Sequence, residues 1–571
     1  MSRPVSLLLV AVLTWAAAAL PAEAPAPAAA PVAASAPVAA PGTITPGRLM
    51  DYTRELSADR FEGRSPGTHG EEVTVDYLVK HFKALGLAPG NPDGSYLQVV
   101  PMTAFSTRPQ VSFAVKGRRI ELKSPDDYVG WSSVRKRHFR LQKSPLVFVG
   151  YGVQAPEYQW DDYKGLDLHG KTLVMLINDP AIPDAVHPGE LDPAMFGGKA
   201  MTYYGRWTYK FEIAARLGAA AAIIVHETGP AAYPYSVVVN SWGGENYSLA
   251  LRGTDPDFQT LAGWMTIERT RELFSQSGLD FDALKQQALR RDFRPVALPA
   301  TVSFDVRNSW RDLQSHNVVA RVAGSDARRA AETVVYSAHW DHFGWNQQLP
   351  GDKSAQVFHG ALDNASGTAA LLTLAEAFHN AAPPGRSVLF IATTGEERGL
   401  LGARYYARHP LYALRDTVAN INIDGINPLG PTRDVRVTSW GKSELDELVS
   451  AATLRQGRQA LPEAHPERGS FYRADQLEFA RVGVPVIYLG AGFDFVGQSA
   501  DYGERQSSEF IAHRYHQVAD VIQPDWSFAG GAQDVQLLWQ LGDELARSAQ
   551  FPHWKADSEF RAQRIRQRGG D

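Results

Sequence analysis

The sequence Thr-Val-Val-Tyr-Ser-Ala-His-Trp-Asp-His occupies residues 333–342 and is the first of three blocks that decide the fold. The second block, Gly-Ala-Leu-Asp-Asn-Ala-Ser-Gly, occupies residues 360–367 and leads into an apolar segment. The third block, Ser-Val-Leu-Phe-Ile-Ala-Thr-Thr-Gly-Glu-Glu, occupies residues 387–397. The first and third blocks open with apolar runs of about six residues, which predict buried strands. Ionisable residues follow both runs, where open α/β sheets build their functional sites.

Strand and helix patterns alternate from residue 330 onward, which predicts an α/β layered sheet. The predicted strands are 333–338, 387–392, 417–423 and 484–489, and the predicted helices are 367–379, 398–408, 442–456 and 530–547. Upstream, Thr45 and Pro46 are expected to begin a helix. Separate strands are expected at 97–103 and 111–122, and a helical segment at 270–289 is expected to break at Gly278.

Length and composition exclude several classes of protein. A chain of 571 residues indicates several domains, or one large domain with an insertion. The composition is that of a globular protein, and the formal charge of −5 gives no reason to expect a nucleic-acid partner. The chain contains no cysteine. Disulfides, thiolate metal sites and cysteine nucleophiles are therefore excluded, and a transition-metal site must use histidine and carboxylates.

Residues 1–24 have the pattern of a cleaved signal peptide, with Arg3, an apolar run from Leu7 to Leu20, and Ala22-Glu23-Ala24 as the cleavage site. The alternative is a membrane anchor. The apolar run of about 14 residues is shorter than the roughly 20 that cross a bilayer. Residues 25–45 are rich in alanine and proline and are expected to form a linker. We therefore expect an exported protein, periplasmic or secreted, with no membrane anchor after signal cleavage.

Five ionisable residues lie at predicted strand ends or in the loops beside them: His339, Asp363, Glu397, Asp424 and His516. Two imidazoles and three carboxylates can hold two divalent ions if one carboxylate bridges them. Two such ions bind a hydroxide and polarise a carbonyl, which suits the hydrolysis of amides or phosphoesters. Each residue alone could instead be a buried histidine or a helix cap.

Glu396 and Asp341 are the candidate catalytic residues beside this set. Glu396 neighbours a predicted ligand but must point elsewhere, so it is expected to act as general base and acid. Asp341 follows His339 by two residues and shares its face in an extended segment. Its carboxylate is therefore expected to accept the far N–H of the His339 ring. The remaining candidates His316, His342, His359 and His409 are expected to bind no metal.

Taken in order, these blocks resemble the signatures of the M28 zinc aminopeptidases: His339-Trp340-Asp341, residues 360–367, Glu396-Glu397, Asn422-Ile423-Asp424 and Tyr515-His516. The likeness covers about 45–130 and 300–550. It implies a three-layer α/β/α metallopeptidase sheet. Residues 140–265 resemble the mainly-β protease-associated domain that is often inserted in this family. The implied boundaries are 46–135 and 296–571 for the catalytic domain and 136–295 for the insert.

The resemblance also implies roles for the candidate residues. Asp363 is the bridging ligand, with a cis peptide to the next residue. His339 and Asp424 complete one zinc site, and Glu397 and His516 complete the other. The implied cofactors are two Zn²⁺ ions, with Co²⁺ or Mn²⁺ as alternatives.

Members of the family use a tyrosine to steady the oxyanion, and here the corresponding segment is 470–476. The alignment places Phe471 at the tyrosine position, which leaves Tyr472 as the candidate. Ala474 and Gln476 also depart from the Ser-Asp-His pattern that family members commonly carry there.

The expected function is an aminopeptidase that hydrolyses N-terminal peptide bonds of peptides or proteins through a metal-bound hydroxide, with Glu396 as base and acid. The alternatives on the same fold are a carboxypeptidase or dipeptidase, a glutaminyl cyclase, and a catalytically silent receptor. No predicted ligand is missing, which disfavours the receptor. The sequence contains no H-E-x-x-H or P-loop pattern, and its G-x-S-x-G match at residues 63–67 lies in a turn-rich loop and not at the end of an apolar strand, which disfavours other hydrolase and nucleotide classes. The preferred N-terminal residue and the oligomeric state stay open.

Overall fold

The structure, a computed structural model, describes residues 42–250 and 261–569. Its α-helices are α1 Pro46–Leu56, α2 His69–Ala84, α3 Trp207–Arg216, α4 Thr228–Ala231, α5 Tyr235–Trp242, α6 Ile267–Ser277, α7 Phe281–Gln287, α8 Lys353–Gln356, α9 Gly367–Asn380, α10 Leu401–Arg408, α11 Leu445–Arg455, α12 Gln476–Arg481, α13 Tyr502–His513, α14 Ala529–Arg547 and α15 Arg561–Arg568. Its β-strands are β1 Ala88–Pro89, β2 Leu97–Val115, β3 Arg118–Leu122, β4 Tyr128–Trp131, β5 His138–Phe148, β6 Gln154–Ala155, β7 Trp160–Asp161, β8 Thr172–Leu176, β9 Ala221–His226, β10 Glu245–Leu249, β11 Ala262–Thr266, β12 Val296–Val322, β13 Thr333–His339, β14 Gly344–Trp345, β15 Val357–Phe358, β16 Ser387–Thr393, β17 Thr417–Asn422, β18 Asp434–Val437, β19 Gln459–Pro462 and β20 Val486–Gly490.

One mixed sheet runs through the described residues. Its strand order is β19-β18-β20-β17-β13-β16-β12-β5-β8-β9-β11-β4. The neighbours β20, β17, β13 and β16 run parallel, and β12 pairs antiparallel with β16. The neighbours β5, β8, β9 and β11 form a second parallel group. The carboxyl ends of β17, β13 and β16 therefore meet at one edge of the sheet.

Helices cover both faces of the first parallel group. Val334 and Tyr336 of β13 belong to the hydrophobic cluster that contains α9 and α14. Val335, between them, belongs to a separate cluster with Tyr406 of α10 and Phe479 of α12. Successive strand residues point to opposite faces of a sheet, so this alternation defines helix, sheet and helix layers. The α/β fold class predicted from the sequence is confirmed.

Most predicted elements are close to the observed ones. The four predicted strands correspond to β13, β16, β17 and β20, and the helices 367–379 and 530–547 correspond to α9 and α14. Thr45 caps α1 by accepting the Arg48 N–H at 3.2 Å, and Gly278, at φ 78°, separates α6 from α7 as predicted. The strands predicted at 97–103 and 111–122 are observed, but the residues between them are strand as well, and a turn at 116–117 divides the second. β2 is continuous because it pairs with β12 along its whole length.

The long strand β12 joins two regions of the sheet. Its first part pairs with β5 and its last part pairs with β16. The region around β5, β8, β9 and β11 has its own hydrophobic cluster, which includes Phe148 and Trp264. This region also contains α3 to α7, so helices and strands share the predicted insert. The boundaries 46–135, 136–295 and 296–571 stay a prediction.

The predicted signal peptide 1–24 and residues 25–41 of the predicted linker lie outside the described residues. Among the residues that the structure describes, no helix combines the length and apolar composition needed to cross a membrane.

A substitution of Phe390 tests the aromatic packing of the central sheet. Its side chain is fully buried and stacks on Tyr336 with ring centroids 5.5 Å apart. We expect Phe390→Ala to lower the free energy of unfolding by about 3–5 kcal/mol, because it leaves a cavity between β16 and α9. Urea unfolding measures the change. Leu454→Ala, at a side chain that is 68% exposed, is the control, and equal losses in both variants would contradict the packing described.

Candidate metal centre

The three central parallel strands end beside one another and deliver three groups of side chains. β13 ends at His339, β16 is followed by Glu396 and Glu397, and β17 is followed by Asp424. Asp363 comes from the irregular turn that leads into α9, and His516 follows α13. These side chains are buried except that of Asp424, which is partly buried. The structure thus places all five predicted ligands at one edge of the sheet.

Each of the five predicted ligands lies within 3.3 Å of another one. His339 Nε2 lies 3.1 Å from Asp424 Oδ1 and 3.3 Å from Asp363 Oδ1. On the other side, His516 Nε2 lies 3.3 Å from Asp363 Oδ2 and 3.2 Å from Glu397 Oε2. The two oxygens of Asp363 therefore face two different imidazoles, as a bridging carboxylate requires.

The spacing of these atoms fits a pair of divalent ions. Ligand atoms around a tetrahedral ion with bonds of about 2.0–2.2 Å lie roughly 3.3–3.6 Å apart. The observed separations of 3.1–3.3 Å are close to this. His339, Asp363 and Asp424 offer ligand atoms within 4.8 Å of one another, and so do His342, Asp363 and Glu397. Imidazole and carboxylate are the donors that zinc accepts when thiolates are missing.

The buried carboxyl groups of the centre also favour the binding of cations. Burial, opposed by His339, holds the pKa of Glu396 well above its ordinary range. Burial and the nearby carboxylates Asp363 and Glu396 do the same to the pKa of Glu397. The buried Arg64 is close by, but its hydrogen bonds go to backbone carbonyls. Several buried carboxylates without paired cations are costly, so this donor set fits positively charged ligands.

Two residues that the sequence analysis missed hold the loop of Asp363. The backbone N–H groups of Leu362 and Asp363 both donate to the buried carboxylate of Asp520, each at 3.0 Å. Arg64 donates to the carbonyls of Trp340 at 2.8 Å and Gly360 at 3.0 Å, which ties the first block to the second. The peptide from Asp363 to Asn364 is cis. Arg64 and Asp520 lie outside the five blocks, Asp520 four residues after His516, and no local pattern marks either of them.

The predicted contact of the Asp341 carboxylate with His339 is wrong. His339 Nδ1 lies 3.1 Å from the backbone carbonyl of Asp341 and 3.9 Å from its carboxylate. The carboxylate instead accepts the backbone N–H of Glu396 at 3.1 Å, because the chain turns after His339. Burial raises the pKa of Asp341 to about 6. Asp341 therefore orients the Glu396 segment, and its carbonyl orients the imidazole.

The other histidines have different environments. His342 is fully buried, and its Nδ1 lies 2.5 Å from Glu397 Oε1. It thus contacts the centre through Glu397. That His342 binds no metal stays a prediction. His359 contacts Asp59 at 2.8 Å and His316 contacts Glu71 at 3.2 Å.

A cavity of about 450 Å³ opens onto the carboxylates of the centre. The Tyr472 hydroxyl, predicted to steady an oxyanion, donates to Glu559 at 2.8 Å. Tyr488 and Tyr515 also line the cavity, and the ring of Tyr515 packs on His516 with centroids 3.8 Å apart. Neither tyrosine is among the site residues predicted from the sequence.

The predicted insert supplies one wall of this cavity. Arg206, Trp207, Tyr233 and Trp242 line it together with residues of the central sheet. Ser241 and Asn240 of α5 contact His516. The cavity therefore lies between the two regions that β12 joins.

Residues 317–539 match Peptidase family M28. This part of the chain resembles a peptidase M28 domain. It includes all five predicted ligands and both catalytic candidates. Residues 136–295 lie outside the match, so the identity of the insert stays a prediction.

Curated relatives cover parts of the chain. A vacuolar membrane protease of Clavispora lusitaniae is 31% identical over 144 residues, and one of Schizophyllum commune is 31% identical over 243 residues. They cover 24% and 42% of this chain. The alkaline phosphatase isozyme conversion protein of Escherichia coli is 30% identical over 125 residues, which is 22% of this chain. The chain spans 12%, 22% and 35% of these three proteins.

The expectation of a periplasmic or secreted location is wrong by this comparison. Several curated relatives are named as proteases of the vacuolar membrane. The residues on which the expectation depended, 1–24, lie outside the described part of the chain.

Two aminopeptidases are among the solved structures that this chain matches. The aminopeptidase of Aneurinibacillus sp. strain AM-1 has a TM-score of 0.49 and 18% identity over 89% of this chain and 96% of that chain. The zinc aminopeptidase of Bacillus subtilis has a TM-score of 0.44 and 16% identity over 91% of this chain and 97% of that chain.

The pKa shifts predict how the metal-free protein responds to pH. Glu396, Glu397 and His339 have pKa values raised in the folded state, so the folded state binds more protons and loses stability as pH rises. His342 and His516 have lowered pKa values, so they make the folded state more stable as pH rises. This gain is complete above about pH 6.5, the ordinary pKa of histidine. The buried Lys210, whose pKa burial lowers to about 7, also acts oppositely above pH 7. Because the three groups with raised pKa values outnumber it, the melting temperature of chelator-treated protein should fall as pH rises above about 6.5.

Addition of Zn²⁺ should raise the melting temperature and flatten this dependence, because a bound cation favours the ionised carboxylates. Differential scanning calorimetry with and without the metal measures both effects. A metal-free protein that becomes more stable over this pH range would contradict the charge distribution described.

Proposed function

We propose that the protein is a dinuclear metallopeptidase that removes residues from the N-termini of peptides or proteins. The observation that carries the proposal is the buried carboxylate of Asp363, whose two oxygens face His339 and His516. The M28 match of residues 317–539 supports a peptidase.

His339, Asp363 and Asp424 would hold one ion, and His516, Asp363 and Glu397 the other. Zn²⁺ is the proposed metal, with Co²⁺ or Mn²⁺ as alternatives. When bound, the ions supply Lewis-acid activation of the scissile carbonyl and of water.

Glu396 is the proposed general base and acid. Its carboxylate is buried, lines the cavity and lies 4.0 Å from His339 Nε2, outside direct hydrogen-bond contact with that ring. Burial favours its protonated form, so it can take a proton from water and return it to the leaving amine. The hydrogen bond from its N–H to Asp341 holds the segment in place.

The insert, residues 136–295, is proposed to be a protease-associated-like domain that narrows the cleft. Bulky aromatic side chains from this region, Trp207, Tyr233 and Trp242, line the same cavity as the carboxylates. A cavity narrowed by such side chains would accept a chain end more readily than the middle of a folded protein. This supports an exopeptidase.

Glu396→Gln tests the proposed base. The amide keeps the shape of the side chain but cannot accept the proton, so kcat should fall by about 10²–10⁴-fold while metal content is unchanged. A panel of aminoacyl nitroanilides and metal analysis of the purified protein measure the two quantities. Glu509→Gln, at an exposed position of α13, is the matched control, and near-normal turnover in Glu396→Gln would show that another group is the base.

One observation favours a second candidate, a dipeptidase or carboxypeptidase. Arg206 lines the cavity and is 8% exposed. Within the described residues, no carboxylate lies at ion-pair distance from it, and its Nε has no hydrogen-bond partner. Burial and the nearby Arg473 lower its pKa to about 10. A buried cation without a partner can receive a carboxylate of the substrate.

Peptides with free and amidated C-termini distinguish the two candidates. If Arg206 receives the C-terminal carboxylate, dipeptides should be cleaved faster than their amides, and Arg206→Gln should abolish that preference by raising KM for the free acid. Equal rates for both forms, unchanged in Arg206→Gln, would favour the aminopeptidase. Arg505→Gln, exposed on α13, is the control variant.

A further inference from the structure

We propose that helix α5 of the insert is a structural part of one half of the metal centre, in which Ser241 is a positioning residue for His516. This inference rests on the proposed function, because it assumes that His516 binds a metal ion. It adds a role for a segment outside the residues that match the peptidase family.

The first observation is a direct contact between α5 and the His516 ring. Ser241 Oγ lies 2.8 Å from His516 Nδ1, and the Ser241 side chain is 1% exposed. The opposite ring nitrogen, Nε2, faces Asp363 and Glu397. When Nε2 uses its lone pair to bind a cation, Nδ1 carries the proton and needs an acceptor. Ser241 Oγ is placed to accept it.

The second observation is a contact with the His516 backbone. His516 has a φ of 55°, in the left-handed region that residues other than glycine rarely adopt. The Asn240 side-chain amide donates to the His516 carbonyl at 2.8 Å. Two successive residues of α5 therefore restrain the ring and the backbone of the same residue.

The third observation extends the contact to the other ligand of this half. Arg398 directly follows Glu397, and its guanidinium donates to the Ser241 carbonyl. The end of α5 thus contacts His516 and the residue next to Glu397.

The other half is held differently. His339 Nδ1 contacts the carbonyl of Asp341, and Asp424 follows β17. These groups all belong to the region after residue 296. The loss of the Ser241 hydroxyl should therefore weaken one half of the centre and spare the other.

Metal titration of the full-length protein tests this asymmetry. Metal-free wild type and Ser241→Ala are titrated with Zn²⁺ against a chelating indicator, and Co²⁺ absorption spectra report the coordination of each ion. We expect two ions in wild type. In Ser241→Ala, one ion should bind about 10–100-fold more weakly and the other should be unchanged, because the loss of such a partner typically costs this much affinity.

Three further variants identify the weakened half and the cause. Ser241→Thr keeps the hydroxyl and should restore most of the affinity, while Ser236→Ala, at an exposed position of α5, should change nothing. In a His516→Gln background, which already lacks this half, Ser241→Ala should have little further effect on the remaining ion.

The unaffected ion in Ser241→Ala serves as the internal check that the variant is folded. Unchanged affinity for both ions, or equal weakening of both, would overturn the role of Ser241. Fewer than two ions in wild type would instead count against the dinuclear centre and therefore against the proposed function.

Discussion

The structure depends on one constraint, the burial of several carboxylates beside two imidazoles at the edge of a parallel sheet. Asp363 is central because its two oxygens face His339 and His516 separately. Burial alone would favour the neutral form of each carboxyl group, and mutual repulsion adds to that effect. A bound cation would stabilise the ionised carboxylates and offset both effects. The same arrangement that is unfavourable in the metal-free protein is therefore one that bound divalent cations would stabilise.

The surrounding fold limits how far these groups can move apart. Three parallel strands bring the first, third and fourth blocks to one edge, and their hydrogen-bond register fixes the spacing. Asp520 and Arg64 hold the turn of Asp363 through its backbone groups. Asp341 does the same for Glu396. Most of these partners contact backbone atoms, so they restrain the loops that carry the ligands and leave the ligand side chains free to coordinate.

The insert is part of this arrangement. It shares β12 with the central sheet, lines the cavity with aromatic side chains, and contacts His516 through α5. A displacement of α5 would therefore change the cleft and one half of the centre together. Arg206, buried without a carboxylate partner among the described residues, lines the same cavity as the carboxylates of the centre.

The sequence by itself determined the strands of the layered sheet and the five ionisable residues that meet at its edge, because buried strands and their polar ends leave local patterns of apolar runs followed by ionisable residues. It misplaced the Asp341 carboxylate, since spacing alone does not show how the chain turns after a strand. Its expectation about location is contradicted by the relatives. Only the tertiary structure decided the partners Asp520, Arg64 and Ser241, which lie outside the blocks that they support. Their contacts depend on how distant segments pack, and no short stretch of sequence specifies that packing.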